Sequence, residues 1–202
     1  NKDLGFTRAH HVMLSYGFKI SDNMNMKIEP YFQQLYDVPV IADSSYSVLN
    51  RRDFYVENAL VNRGKGRNIG VDITLERYLN KGLYYMVTAS IFDSKYYGGD
   101  RKWRNTLYNR NFIINVLGGK EWMVGRDKQN MFSVNFKITL QGGDRYAPVD
   151  EVATLLDPDR EVQYDETKAF SKQFSPMFIT NFSVGYKINR KKVSHEFSIK
   201  SL

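Results

Sequence analysis

Hydrophobic and polar residues alternate along most of this chain with a period of two. "MFSVNFKITLQGG" (Met131 to Gly143) is the cleanest case: Phe132, Val134, Phe136, Ile138 and Leu140 take one side, and Ser133, Asn135, Lys137, Thr139 and Gln141 the other. Successive side chains of a strand point to opposite faces, so the segment predicts a strand with one apolar and one polar face. Seven more segments read the same way: His11 to Ile20, Met26 to about Ile41, about Arg67 to Tyr78, Leu83 to Phe92, Phe112 to Val124 (the least regular), Phe178 to Ile188, and one beginning near Val193. Helical periodicity is weak, and only "PVDEVATLLDPD" (Pro148 to Asp159) suggests a turn or two of helix, inside a loop.

The connections alternate in length. "SDNMN", "NKG", "GRDKQN" and "NRKK" are short and rich in the Asn, Asp, Gly and Lys of tight turns. The links from about Ala42 to Gly66, Gly98 to Arg110 and Gly142 to Met177 are long. Most segments exceed the average strand of about 5–6 residues and reach the roughly 9–11 that a tilted strand needs to cross a bilayer. The expectation is therefore an all-β chain: an antiparallel up-and-down meander of about eight long strands. It reads as a partial transmembrane β-barrel with short periplasmic turns and long extracellular loops.

A barrel turns its apolar face to lipid and its polar face to the lumen. Lys19, Lys27, Glu29, Asp72, Glu76, Asn115, Asn135, Lys137 and Lys187 lie on the polar rows and are the lumen-facing candidates. A charge facing lipid at mid-membrane costs about 2–4 kcal/mol, and the apolar rows carry charge only near their ends, at Arg77 and His195. Pro30 interrupts the second segment. It has no N–H for a ladder, so a β-bulge is expected nearby.

Composition sharpens this picture. Fourteen Tyr and 13 Phe bring aromatic residues to 14% of the 202-residue chain; these residues favour strands and form barrel girdles. No run of about 18 apolar residues exists for a membrane helix. Cys is absent, which excludes disulfides and thiolate chemistry. The net charge is +7, but the basic residues form short scattered clusters rather than one stripe, which argues against nucleic acid.

His10 and His11 are adjacent and point oppositely in a strand, so they cannot share a metal. There is no phosphate cradle, G-x-S-x-G elbow or zinc spacing. No cofactor, metal site or enzymatic activity is expected. "YGGD" and "QGGD" recur where strands meet long loops and read as strand-exit turns. The acidic loop from Gly142 to Met177 matches no EF-hand. "RRDFY" (Arg51, Arg52, Tyr55) and "RKWR" (Arg101, Trp103, Arg104) combine cations with aromatics and are the ligand-loop candidates, for a ring-bearing or anionic ligand or for lipopolysaccharide phosphates.

"ALVNRGKGRNIGVDITLERYLNKGLYYMVTASIFDSKY" (Ala59 to Tyr96) resembles the C-terminal barrel of TonB-dependent outer-membrane receptors of the Bacteroidetes kind. It shares an N-x-G-x-G-x-N-x-G descent, a strand ending "LER", a tight turn and a rising strand ending "FDSKY". "EPYFQQLYDVPVI", "NRNFIINVLGGKEW" and "VQYDETKAF" are similar to the same group. The resemblance implies a 22-stranded barrel with an N-terminal plug, driven by an inner-membrane TonB complex and importing a scarce nutrient. On that reading the chain is a fragment of one barrel domain, without plug, earlier strands or final strand, and with open edges. Its partners would be outer-membrane lipid and lipopolysaccharide, the plug, the TonB complex and a nutrient ligand. A barrel that binds or adheres without transport, and a soluble β-sheet binding protein, are the alternatives.

Overall fold

The computed structural model describes residues 1, 3–50 and 56–201. The chain is all-β. Its elements are β1 (Arg8–Met13), β2 (Tyr16–Ser21), β3 (Met24–Val40), β4 (Val61–Asn80), β5 (Leu83–Tyr97), β6 (Trp103–Asn105), β7 (Phe112–Val124), β8 (Asn130–Gln141), β9 (Arg145–Tyr146), α1 (Glu151–Leu156), β10 (Lys172–Gln173), β11 (Met177–Asn189) and β12 (Ser194–Ser201). Ten strands form one antiparallel sheet in the order β1-β3-β4-β5-β7-β8-β11-β12, with β2 on β3 and β6 on β5. Each long strand pairs with its neighbours in sequence. β1/β2 and β12 are the two edges, and the sheet does not close on itself.

β1 and β2 are one strand interrupted. Met13 faces Tyr31 and Tyr16 faces Ile28, so the register resumes unchanged across the gap. The gap lies opposite Pro30. The Leu14 amide donates to the Pro30 carbonyl at 3.1 Å, but Pro30 has no N–H to return the bond. The expected bulge is therefore not at Pro30. The proline costs one ladder bond on its neighbour, while Pro30 itself stays in register with Val71 of β4. The nearest irregularities are between Lys19 and Ser21 and between Leu35 and Val38. The second is a bulge around Asp37, which has φ 54° and takes two hydrogen bonds from the Arg8 guanidinium, at 2.8 and 2.5 Å.

The turns are as tight as their composition demands. Lys81 (φ 51°) and Gly82 (φ 74°) join β4 to β5 in two residues, closed by the Asn80–Leu83 pair. Positive φ at both central positions suits the right-handed twist of a hairpin.

Register assigns the faces. Ile69, Val71, Ile73 and Leu75 of β4 share a side with Ile91, Ala89, Val87 of β5, Phe112, Ile114 and Val116 of β7, and Val134, Phe136, Ile138 and Leu140 of β8. No second layer of polypeptide covers this side among the described residues. Phe136 is 41% exposed, Ile69 50%, Phe182 50% and Ile199 81%. The fully buried side chains lie elsewhere, at the long-loop end: Val38, Val40, Ser47, Tyr96 and Asn109. β7 departs from the pattern, because its run Phe112-Ile113-Ile114 puts Ile113, and Leu117 beyond it, on the polar side.

β4 starts at Val61, six residues before the alternation becomes visible in the sequence. The extension "VNRGKGR" carries no hydrophobic period of its own. Its order comes from close packing: a Cβ on Gly64 would stand 2.5 Å from Val40 Cγ1, and one on Gly66 2.6 Å from Leu35 Cδ1 and 2.8 Å from Leu49 Cδ1. The glycines let the buried Val38 and Val40 and the half-buried Leu35 and Leu49 approach the backbone, while Arg63, Lys65 and Arg67, which alternate with them, are exposed on the other side. Gly66→Val overpacks this contact, at a cost of about 1–3 kcal/mol. Thermal unfolding should shift to lower temperature, while Lys65→Val stays within about 0.5 kcal/mol of wild type. An unshifted midpoint for Gly66→Val would reject this packing.

Candidate functional site

Two regions carry polar chemistry: the polar face of the sheet and the cap built by the three long loops. On the polar face, side-chain hydrogen bonds run across strands along the register. Asn68 donates to Gln33 at 2.7 Å, Ser94 to Asn68 at 2.6 Å and Thr106 to Ser94 at 2.9 Å. Ser90 donates to Asp72 at 2.6 Å. Thr139 donates to Asn115 at 2.8 Å, and Tyr84 to Asn135 at 2.7 Å. These rows hold the polar side chains upright and hydrogen-bonded, as a half-buried polar surface requires. Lys19, Lys27, Glu29, Asp72, Glu76, Asn135, Lys137 and Lys187 all lie on this one face. Lys27 and Glu29, two residues apart, form an ion pair at 2.9 Å.

The loops do not splay. Leu107 N donates to Asn50 Oδ1 at 2.8 Å, tying the β5–β7 loop to the β3–β4 loop. Arg145 donates through Nε to the Asn109 carbonyl at 2.8 Å and through Nη2 to Asn111 Oδ1 at 2.7 Å, bringing in the β8–β11 loop. Tyr96 and Phe170 meet edge to face, with centroids 6.0 Å apart. Burial lowers the pKa of the Arg145 guanidinium. α1 forms where the sequence suggests it, N-capped by Asp150, which accepts from Ala153 N at 2.9 Å.

The two G-G-D repeats do one structural job. A Cβ on Gly99 would stand 1.8 Å from the Ile41 carbonyl oxygen, and one on Gly142 1.8 Å from that of Arg110. Each glycine lets a neighbouring loop's backbone press against the strand exit. Each aspartate then holds an arginine: Asp100 takes Arg104 in two bonds of 2.8 and 2.5 Å, and Asp144 takes Arg110 Nε at 2.7 Å. The first repeat is a strand-exit turn, closed by Arg101 N donating to the Gly98 carbonyl, as read from the sequence; the second links β8 to β9 without a turn. The Arg104 fork holds the Asp100 carboxyl below the usual range.

The ligand-loop candidates separate. Arg51, Arg52 and Tyr55 lie outside the described residues. Arg104 is 9% exposed and its guanidinium also reaches the Thr167 carbonyl at 3.4 Å, so it braces the cap instead of presenting itself to a ligand. Trp103 points to the opposite, outer side and is 44% exposed; Arg101 is exposed. His10 and His11 do point oppositely, His10 toward Tyr36 and His11 toward Tyr31. No three His, Asp or Glu side chains converge on a metal-sized site among the described residues, and no helix there is long and apolar enough to cross a membrane.

Sequence reading missed the cavity between the loops, about 680 Å³, lined among others by Tyr146, Phe174, Phe170, Tyr164, Asn50 and Arg145. Tyr146 and Phe174 stack with centroids 4.3 Å apart, and Asn50 Nδ2 is buried without a partner among the described residues. Aromatic faces with a few polar groups suit a small organic ligand. These residues come from three loops without periodicity; their aromatic content is the one trace they leave in sequence. No protein-family model matches the chain, and comparison with curated proteins and with solved structures finds no match.

Asp165 caps the turn at Glu166–Lys168, and its pKa falls to about 2, first through the Thr167 hydroxyl and then through Lys168. Asp100 and Asp165 both titrate lower folded than unfolded. Their contribution to the cap is whole above the ordinary value of 3.8 and is lost as pH falls through the folded value. Pepsin should leave the β8–β11 loop of the intact protein uncut at pH 4 and cleave it near pH 2. Asp165→Asn should be cut already at pH 4; equal cleavage at both pH values in wild type would refute the linkage.

Proposed function

We propose that this chain is wall from an outer-membrane β-barrel receptor that takes up a nutrient, its loop cap capturing ligand and its polar face lining the passage. The observation that carries the reading is the uncovered apolar face. It spans the sheet and, among the described residues, has no layer of protein against it. Burying a Leu- or Phe-sized side chain is worth about 1.5–3 kcal/mol, so a sheet of this size exposed to water would associate. Lipid removes the penalty without a second layer.

The edges of the band support the same assignment. At the short-turn end, Trp122, Phe132, Tyr186 and Phe197 form one cross-strand row over four strands, with Trp122 and Phe132 centroids 5.7 Å apart. Arg77 and Lys120 lie at the same end. At the loop end the band gives way to Asp93, Lys95 and Arg67. From Ile69 to Leu75 is roughly 20 Å along the strand, and the apolar band of an outer-membrane barrel is about 25 Å tall. The open edges at β1/β2 and β12 are where further strands of the barrel wall would pair. TonB-driven transport, with a plug inside the wall, is the mechanism the sequence resemblance adds to this proposal.

The chain has no Cys, so neighbouring residues can be labelled separately on a background otherwise cleared of thiols. Bimane at Ile138→Cys of the intact protein, reconstituted in liposomes with brominated acyl chains, should be strongly quenched. Bimane at Lys137→Cys should not be, but should be quenched by iodide from the aqueous side. Equal quenching at both positions, or a protein that stays folded and monomeric without detergent, would sink the membrane reading. Nutrient uptake abolished by collapsing the proton-motive force then separates active import from adhesion.

A further inference from the structure

We infer that the cavity between the loops binds a small organic cation, an amine or quaternary ammonium group carried on an apolar body. The inference rests on the receptor reading above and gives its ligand a charge and a chemical class.

The walls are aromatic first. Tyr46 and Glu57 come from the β3–β4 loop, and Tyr146, Tyr164, Glu166 and Phe174 from the β8–β11 loop. At about 680 Å³ the cavity has the size of a site for a drug-sized organic molecule. The antiparallel pairing of β9 with β10 sets Tyr146 against Phe174, with the rings within 27° of parallel and their centroids 4.3 Å apart. Both rings remain exposed, as does Tyr164, and Tyr46 is half-buried. Ring surface is therefore left for a ligand.

Charge then selects the ligand. Glu57 and Glu166 form no ion pair among the described residues; Glu166 accepts from the Ser44 hydroxyl at 3.2 Å. Arg145 is the one cation of the wall among the described residues. Its Nε and Nη2 are committed to the Asn109 carbonyl and Asn111 Oδ1. An anionic ligand would face two unpaired carboxylates and a guanidinium already turned to the β5–β7 loop. The surroundings have the same sign. Residues 142–176 hold eight acidic and four basic residues, in a chain of net charge +7. Asp144 and Asp165 are answered by Arg110 and Lys168, whereas Asp150, Glu151, Asp157, Asp159 and Glu161 have no ion-pair partner among the described residues. The cap thus concentrates negative potential in a basic protein, and such a field raises the local concentration of cations.

A cation over an aromatic face is attracted by the ring quadrupole, more strongly where water is excluded. A neutral molecule of the same shape gains apolar contact alone and shields both carboxylates from water without pairing them, which costs free energy. Rings and carboxylates together therefore discriminate by charge. Among the described residues no three His, Asp or Glu side chains converge on a metal-sized point, so the geometry suits an organic cation over a bare metal ion.

The test is calorimetric titration of the intact protein, in uncharged detergent at low salt, with choline and with dimethylbutanol, its uncharged carbon isostere. Choline should bind saturably, roughly tenfold tighter than the alcohol, and should weaken as salt rises. Glu57→Gln/Glu166→Gln should weaken choline by about tenfold and leave the alcohol unchanged. Tyr146→Leu should weaken choline by about fivefold. Glu151→Gln/Glu161→Gln, which removes the same charge from the cap outside the cavity, should leave choline binding unchanged. If a cavity variant does not fold, the preference of the wild type for choline over the alcohol still decides. Equal affinity for the two molecules, no saturable choline binding, or a folded Glu57→Gln/Glu166→Gln protein with wild-type affinity would overturn the assignment. Tighter binding of benzoate than of choline would overturn it in favour of an anion. A protein whose Ile138→Cys label is quenched by brominated lipid yet shows no preference for choline defeats the cation assignment alone; one without that quenching defeats the receptor reading as well.

Discussion

The structure depends on one constraint: a hydrogen-bonded sheet that alternates in polarity along most of its strands but has nothing stacked on its apolar side among the described residues. In a soluble sandwich two such faces meet and bury each other. Here the backbone ladder from β1 to β12 orders the chain by itself, and the apolar rows stay open. The continuous ladder pairs the backbone of the interior strands with neighbours on both sides.

Hydrophobic burial within the protein is therefore displaced to one end. The buried residues Val38, Val40, Tyr96, Leu107 and Ala169 all belong to the loop end, where three loops are held to one another by Asn50, Arg145 and the two Gly-Gly-Asp segments. Among the described residues the short-turn end has no such core and closes by short hairpins. The molecule thus has a polarity along its strands: an ordered cap with a cavity, an apolar band, and a girdled rim.

The glycines of "RGKGR" connect the cap to the surface outside it. Because small residues are needed inward at Gly64 and Gly66, the intervening cations are forced outward. One packing requirement sets both the core of the cap and the charge of the rim above the apolar band.

The strands, their order of faces and their turns were legible in the sequence because a period of two needs no tertiary information: Phe132 to Leu140 declares its face by itself, and "NKG" declares its turn. The proposed polar-face residues, from Lys19 to Lys187, lie on one face for the same reason. What the sequence could not decide was everything set by contacts between distant segments. The extra length of β4 is fixed by Val38 and Val40 packing on glycines; the interruption of the first strand depends on a proline across the ladder, in register and without a bulge. Arg104 and Trp103 look equivalent in "RKWR", yet pairing with β5 sends them to opposite sides, one into the Asp100 fork and the other over Arg67. Periodicity specifies which way a side chain points; only the fold determines what it meets there, because those partners lie tens of residues away and carry no local signal.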